Sequence, residues 1–138
     1  SMNLHHPDAR REGMLIQSMV TDDVVETIAG VNRDPAFGSA VVVGLGGIFV
    51  ELLRDVSLEL APLSPARAKA MINRLQAADI AALKETLVRL GRMAHALGER
   101  LISLDLNPLM VLPEGQGVRI VDIVMQARPS GDSPKHLP

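Results

Sequence analysis

Two apolar runs near the C-terminus, residues 101–112 and 117–125, flank Pro113-Glu114-Gly115-Gln116. A short break holding proline and glycine between such runs predicts an antiparallel hairpin. If residues 113–116 form the loop, Leu112 faces Gly117, and each step back along one strand matches a step forward along the other. Asn107 then lies opposite Asp122. Side chains alternate along a strand, so Asp105 and Asn107 share that face while Leu104 and Leu106 take the other. Three oxygen donors thus converge among apolar neighbours. Carboxylates held that close repel unless a cation or protons offset them. Oxygen-only donors suit Mg²⁺ or Mn²⁺ rather than zinc. The competing reading makes Asn107-Pro108 the start of a turn and Asp122 a solvated strand residue. A register slip of one residue would also turn Asp122 away. Spacing alone leaves both readings open.

The rest of the chain supplies what the hairpin packs against. Met14 to Val20 reads as a mostly buried strand, Val24 to Asn32 as a second and Ala40 to Val43 as a short third. Residues 48–60 fit a helix in their first half, but Val56, Leu58 and Leu60 alternate with Ser57 and Glu59, which favours a strand ended by Pro62. Ser64-Pro65 is a helix start, with a hydroxyl cap and a proline in the first turn. Ala68, Met71, Ile72 and Leu75 form its apolar stripe. Asp79 is placed to cap a second helix. Its face runs through Ile80, Leu83, Leu87, Leu90, Ala94 and Leu97 and stops at Gly98. Strands, two helices and a hairpin predict an α+β domain. Its bounds are set at 12–126, behind a polar lead-in of residues 1–11 that opens on Ser1-Met2, read as a cloning remnant. A Pro/Ser/Gly-rich tail, 127–138, is expected to fray.

Composition narrows the function. Fourteen basic against sixteen acidic residues leave no field to draw a nucleic-acid backbone or an anionic membrane. Phe37 and Phe49 are the only aromatics, so single strands have no stacking platform. Any base bound here must rest on aliphatic and Met side chains. No cysteine occurs, which excludes disulfides and cysteine zinc sites and fits a cytoplasmic setting. There is no apolar run long enough to span a bilayer and no signal peptide at the start.

Other candidates are weaker alone. Val41 to Gly47 is a strand running into Gly44-Leu45-Gly46-Gly47, which could cradle phosphate or form a structural turn; it is neither a Walker loop nor a dinucleotide fingerprint. Glu26, in an apolar strand, could accept bonds from a ligand hydroxyl or simply face water. Arg33-Asp34 could meet phosphate or pair with each other. His95 adjoins the helix stripe and reads as an ordinary helix residue, and no Ser/His/Asp set is suggested.

Three segments agree with one family: MLIQSMV, VVETIAGVNRDPAFGSAVVVGLGGIFVELLRDVSLELAPLS and ISLDLNPLMVLPEGQGVRIVD. Over residues 10–125 the chain resembles the C-terminal lobe of the ATP-grasp domain of NDP-forming (ADP-forming) acyl-CoA synthetases, relatives of the succinyl-CoA ligase β subunit. The resemblance implies an α+β ATP-grasp subdomain with a mostly antiparallel sheet and two packed helices. It implies an enzyme that exchanges acyl-CoA, ADP and phosphate with carboxylate, CoA and ATP, through an acyl phosphate and a phosphohistidine carried on another domain. By position, the backbone of Gln17, Ser18, Met19 and Val20 reads adenine, and Glu26 holds the ribose hydroxyls. Gly44, Gly46 and Gly47 match the glycine-rich segment, and Asp105, Asn107 and Asp122 match the Mg²⁺ positions. The implied cofactors are ATP/ADP and Mg²⁺ (or Mn²⁺), with CoA a substrate of the full enzyme.

The resemblance also implies what the chain lacks. The preceding lobe, with its phosphate-binding lysine and glycine-rich lid, and the CoA-binding and ligase domains are expected partners. Without them this lobe is expected to be inactive, and the apolar surface left bare favours self-association. Ser18 stands where relatives carry an acidic residue or proline, Ser103 where many carry glutamate. Between Gln76 and Ala77 relatives have a further Gly/Arg/Pro-rich stretch. Some relatives are fused to a protein acetyltransferase, so the alternative is a non-catalytic nucleotide-sensing or docking module.

Overall fold

The computed structural model describes residues 16–20, 24–46, 56–72 and 79–129. Its frame is one antiparallel sheet built from β1 (Val25–Asp34), β2 (Gly38–Leu45), β3 (Val56–Leu60), β4 (Leu101–Val111), β5 (Val118–Ile120) and β6 (Ile123–Ala127). The order is β3-β2-β1-β4-β5, with β6 also on β4. Two helices, α1 (Pro65–Ile72) and α2 (Ile80–Leu97), lie between β3 and β4 in the chain. The expected α+β class is what forms.

Both helices start where their caps require. The Arg67 N–H donates to the Ser64 hydroxyl (3.3 Å), and the Ala82 N–H to Asp79 Oδ1 (2.9 Å), satisfying amides that a helix start leaves orphaned. Gly98 closes α2, its N–H donating to the Ala94 carbonyl. The buried stripe of α2 (Leu83, Leu87, Leu90, Ala94) meets Ala68, Met71 and Ile72 of α1. Both rest on one sheet face, on Ala29 and Val31 of β1, Val41 and Val43 of β2, and Leu104, Leu106, Leu109 and Val111 of β4. Burying each large aliphatic there contributes roughly 1.5–3 kcal/mol, which is where the fold's stability lies.

The β4 leucines change step between Leu106 and Leu109. Ala29 pairs with Leu106 and Thr27 with Leu109, so Ile28 faces two residues, Asn107 and Pro108. Proline cannot donate to a ladder and is tolerated in a central strand only at such a bulge. The buried Thr27 hydroxyl stitches across it, donating to the Leu109 carbonyl at 2.7 Å.

Two expectations need correction. Residues 16–20 are not strand, and Ile16 and Met19 are 87% and 84% exposed. They have no ladder partner; an apolar run there lines a cleft instead of a core. The run 117–125 is not one strand but two, β5 and β6, parted at Val121-Asp122 opposite the Asn107-Pro108 bulge. Past residue 126, Ala127 pairs with Leu101 and the Arg128 N–H donates to the Arg100 carbonyl. The strand expected over 48–60 forms over Val56–Leu60. The start of that segment, Met14-Leu15, Leu75, Gly47 and the Gln76/Ala77 junction lie outside the described residues. No described helix is long and apolar enough to cross a membrane.

Candidate functional site

Among the described residues, the two α-helices lie on one face of the sheet. On the other, alternation brings up Glu26 from β1, Asp105, Asn107 and Met110 from β4, and Arg119 from β5; Met110 pairs with both Glu26 and Arg119. Cross-strand partners share a face, so these side chains form one patch.

The hairpin keeps the register expected from its loop. The Leu112 N–H donates to the Gly117 carbonyl (3.0 Å), Leu109 pairs with Ile120, and Leu106 with Ile123. Between these, the Asn107 N–H donates to the Asp122 carbonyl (3.3 Å) and the Val121 N–H to the Pro108 carbonyl (3.1 Å). Asn107 therefore stands beside Asp122, and Asp105, opposite Val124, is one step along the same face. Diagonal neighbours of this kind sit roughly 7–8 Å apart, close enough to share an ion and its water or phosphate ligands. All three residues are exposed. Asp122 Oδ1 accepts from the Ile123 N–H at 2.8 Å, which fixes the carboxylate's orientation. Among the described residues no three His, Cys, Asp or Glu converge. Two carboxylates and an amide are thus a partial donor set. That fits Mg²⁺, which keeps waters and takes phosphate oxygens rather than an all-protein cage.

Next to this patch is an open cleft of about 600 Å³, lined by Gln17, Ser18, Met19, Val20, Met110, Leu112, Arg119, Ile120 and Val121. The four residues expected to read a base thus sit across from β5. Met19 and Met110 give it the aliphatic wall the composition demands, while Ile16 stands in solvent. Among the described residues Arg119 is its one charged side chain; it was not foreseen, although the hairpin register that pairs it with Met110 contained the signal.

The remaining candidates resolve into structural roles. The Gly46 N–H donates to the Glu26 carbonyl (2.7 Å), and a Cβ on Gly46 would fall 3.1 Å from that backbone. Glycine eases this close approach, and its amide is spent on Glu26 rather than offered to phosphate. Asp34 Oδ1 accepts from the N–H groups of Ala36 and Phe37, turning the β1–β2 hairpin, while Arg33 pairs with Glu99 at 3.5 Å. His95 is an exposed helix residue.

The described residues thus form an antiparallel sheet backed on one face by two helices, with oxygen donors and an adjoining cleft on the other. Comparison gives the family. A family model described as the ATP-grasp domain matches residues 1–126. The chain is 36% identical to subunit beta of the ADP-forming acetate–CoA ligase II of Pyrococcus furiosus, with 86% of this chain and 55% of the relative covered. It is 34% identical to the ADP-forming 4-hydroxybutyrate–CoA ligase of Nitrosopumilus maritimus, with 86% and 18% covered. Among solved structures it resembles a protein from Pyrococcus horikoshii Ot3 (TM-score 0.79, 35% identity, 93% of this chain and 58% of that one). It also resembles the dinucleotide-forming acetyl-coenzyme A synthetase 1 of Ca. Korarchaeum cryptofilum, in complex with coenzyme A and Mg-AMPPCP (TM-score 0.69, 39% identity, 78% and 55% covered). The chain belongs to the ATP-grasp family. It spans about half the length of the subunit beta relative.

Proposed function

We propose that this chain is the nucleotide- and Mg²⁺-holding lobe of an ADP-forming acyl-CoA ligase, which exchanges acyl-CoA, ADP and phosphate with a carboxylate, CoA and ATP. The observation that carries this is the hairpin register, which sets Asn107 against Asp122 with Asp105 on the same open face. In this reading the three residues hold Mg²⁺, which neutralises phosphate charge when bound. Gln17 to Val20 and Met110 flank the base, and Glu26, held by Gly46, accepts from the ribose hydroxyls. Gly47 belongs to the same glycine-rich segment. Phosphoryl transfer asks for positioning and charge neutralisation more than covalent help, and these residues supply both. The open face takes the other half of the ATP-grasp domain, so the lobe alone binds nucleotide weakly and turns nothing over. The Pyrococcus furiosus and Nitrosopumilus maritimus relatives are ligases by name, which favours the enzyme over an acetyltransferase-linked docking module.

The test is a titration with ADP across Mg²⁺ concentrations. It uses the chain joined to the half found in its relatives, as wild type, Asn107→Ala and Asp122→Ala. The variants are expected to lose about tenfold or more in Mg²⁺-dependent affinity. Equal Mg²⁺ dependence in all three refutes the metal assignment. Retained binding without acid- and CoA-dependent ATP turnover in the joined protein favours the module.

A further inference from the structure

Asp79 does more than cap a helix. It is 6% exposed, the one charged residue among the buried ones described. Its Oδ1 accepts from the Ala82 N–H at the start of α2. Its Oδ2 accepts from two amides far along the chain, the N–H of Gly115 at 3.0 Å and of Gly117 at 2.9 Å. Gly115 and Gly117 have φ of +79° and +84°, values that L side chains rarely adopt. The turn is therefore shaped so that both amides aim at one carboxylate oxygen. Bonds from the Ala82 N–H first, then from Gly117 and Gly115, hold this carboxyl below the usual aspartate range, while partial burial pulls the other way.

We propose that Asp79 is a positioning residue for the cleft: by clasping the β4–β5 turn to the start of α2 it locks the register that sets Asp122 beside Asn107 and Arg119 beside Met110. A strand that slips by one residue turns every side chain over, and β5 is only three residues long. On the turn side of Asp122 the register rests on these three ladder pairs, while β6 continues it on the far side through Leu106–Ile123 and Asp105–Val124. The clasp adds two charge-assisted bonds at the point from which the register is counted. The link to nucleotide rests on the function proposed above; the link to register does not.

The test compares Asp79→Asn and Asp79→Ser with Ser64→Ala, which removes the α1 cap and leaves the hairpin untouched. Asn and Ser can still cap α2, but neither can cap it and also accept from both glycine amides. Amide hydrogen exchange is read at Asn107 and Val121, and Mg-ADP affinity in the joined protein. Both Asp79 variants are expected to speed exchange at Asn107 and Val121 about tenfold relative to the core amides of β1, and to weaken Mg-ADP binding several-fold. Ser64→Ala is expected to lower thermal stability with neither effect. Exchange at Asn107 and Val121 that moves no more than in Ser64→Ala overturns the proposal, as does faster exchange with unchanged affinity. A wild type that binds no Mg-ADP defeats the functional reading alone, and exchange then decides the register lock.

Discussion

On the helix-covered face of β4, Leu104, Leu106, Leu109 and Val111 are closed off from water; on the opposite face of the same strand, Asp105 and Asn107 are exposed. The covered face is apolar and crossed by two helices. The open face mixes carboxylates with bare aliphatics such as Val56, Leu58 and Val124. Among the described residues, one face carries the buried core and the other keeps these carboxylates and aliphatics exposed. Apolar side chains left in water add little to the stability of this chain alone, whereas buried ones carry it.

Substitution can break or sharpen that contrast. Leu106→Ala on the covered face is expected to cost about 2–5 kcal/mol by denaturant unfolding, from lost burial and the cavity left behind. A cost below about 1 kcal/mol would mean that the helices do not seal this face.

A smaller, directional effect is expected from acid. Asp79 has its folded pKa depressed, chiefly by the Ala82 N–H. Its contribution is complete above the unfolded value of about 3.9 and is lost as pH falls through the lower folded value. The stability gap between wild type and Asp79→Asn should therefore narrow below about pH 4; a constant gap from pH 6 to pH 2 contradicts the depressed pKa.

The smallest effect belongs to the open face. Leu58 is 62% exposed, and Leu58→Ser is expected to change the stability of this chain by no more than about 0.5 kcal/mol. A cost near that of Leu106→Ala would show that both faces are covered.

Much of the covered face was legible in the sequence because its rules are local. Ser64, Asp79 and Gly98 mark helix ends by chemistry confined to one turn, and the α2 stripe needs only its own spacing. The hairpin was legible for a different reason, since four loop residues fix every pair behind them. Residues 16–20 were misread because an apolar run looks alike whether it enters a core or borders a cleft. The division of 117–125 was hidden because its cause, Pro108, lies on the partner strand. The second role of Asp79 was hidden because its glycine partners are 36 and 38 residues away.

The bulge at Asn107-Pro108 carries one more consequence. Ile28 is matched by two residues, so the halves of β4 on either side are out of phase by one. That offset lets Leu104 and Leu106 before it, and Leu109 and Val111 after it, all point to the helices. Deleting Pro108 would give β4 an unbroken ladder and a worse protein, because one half would have to roll over, sending either the leucines into water or Asp105 and Asn107 into the core. An insertion or deletion of one residue should thus be tolerated less well in this strand than in the loops around it.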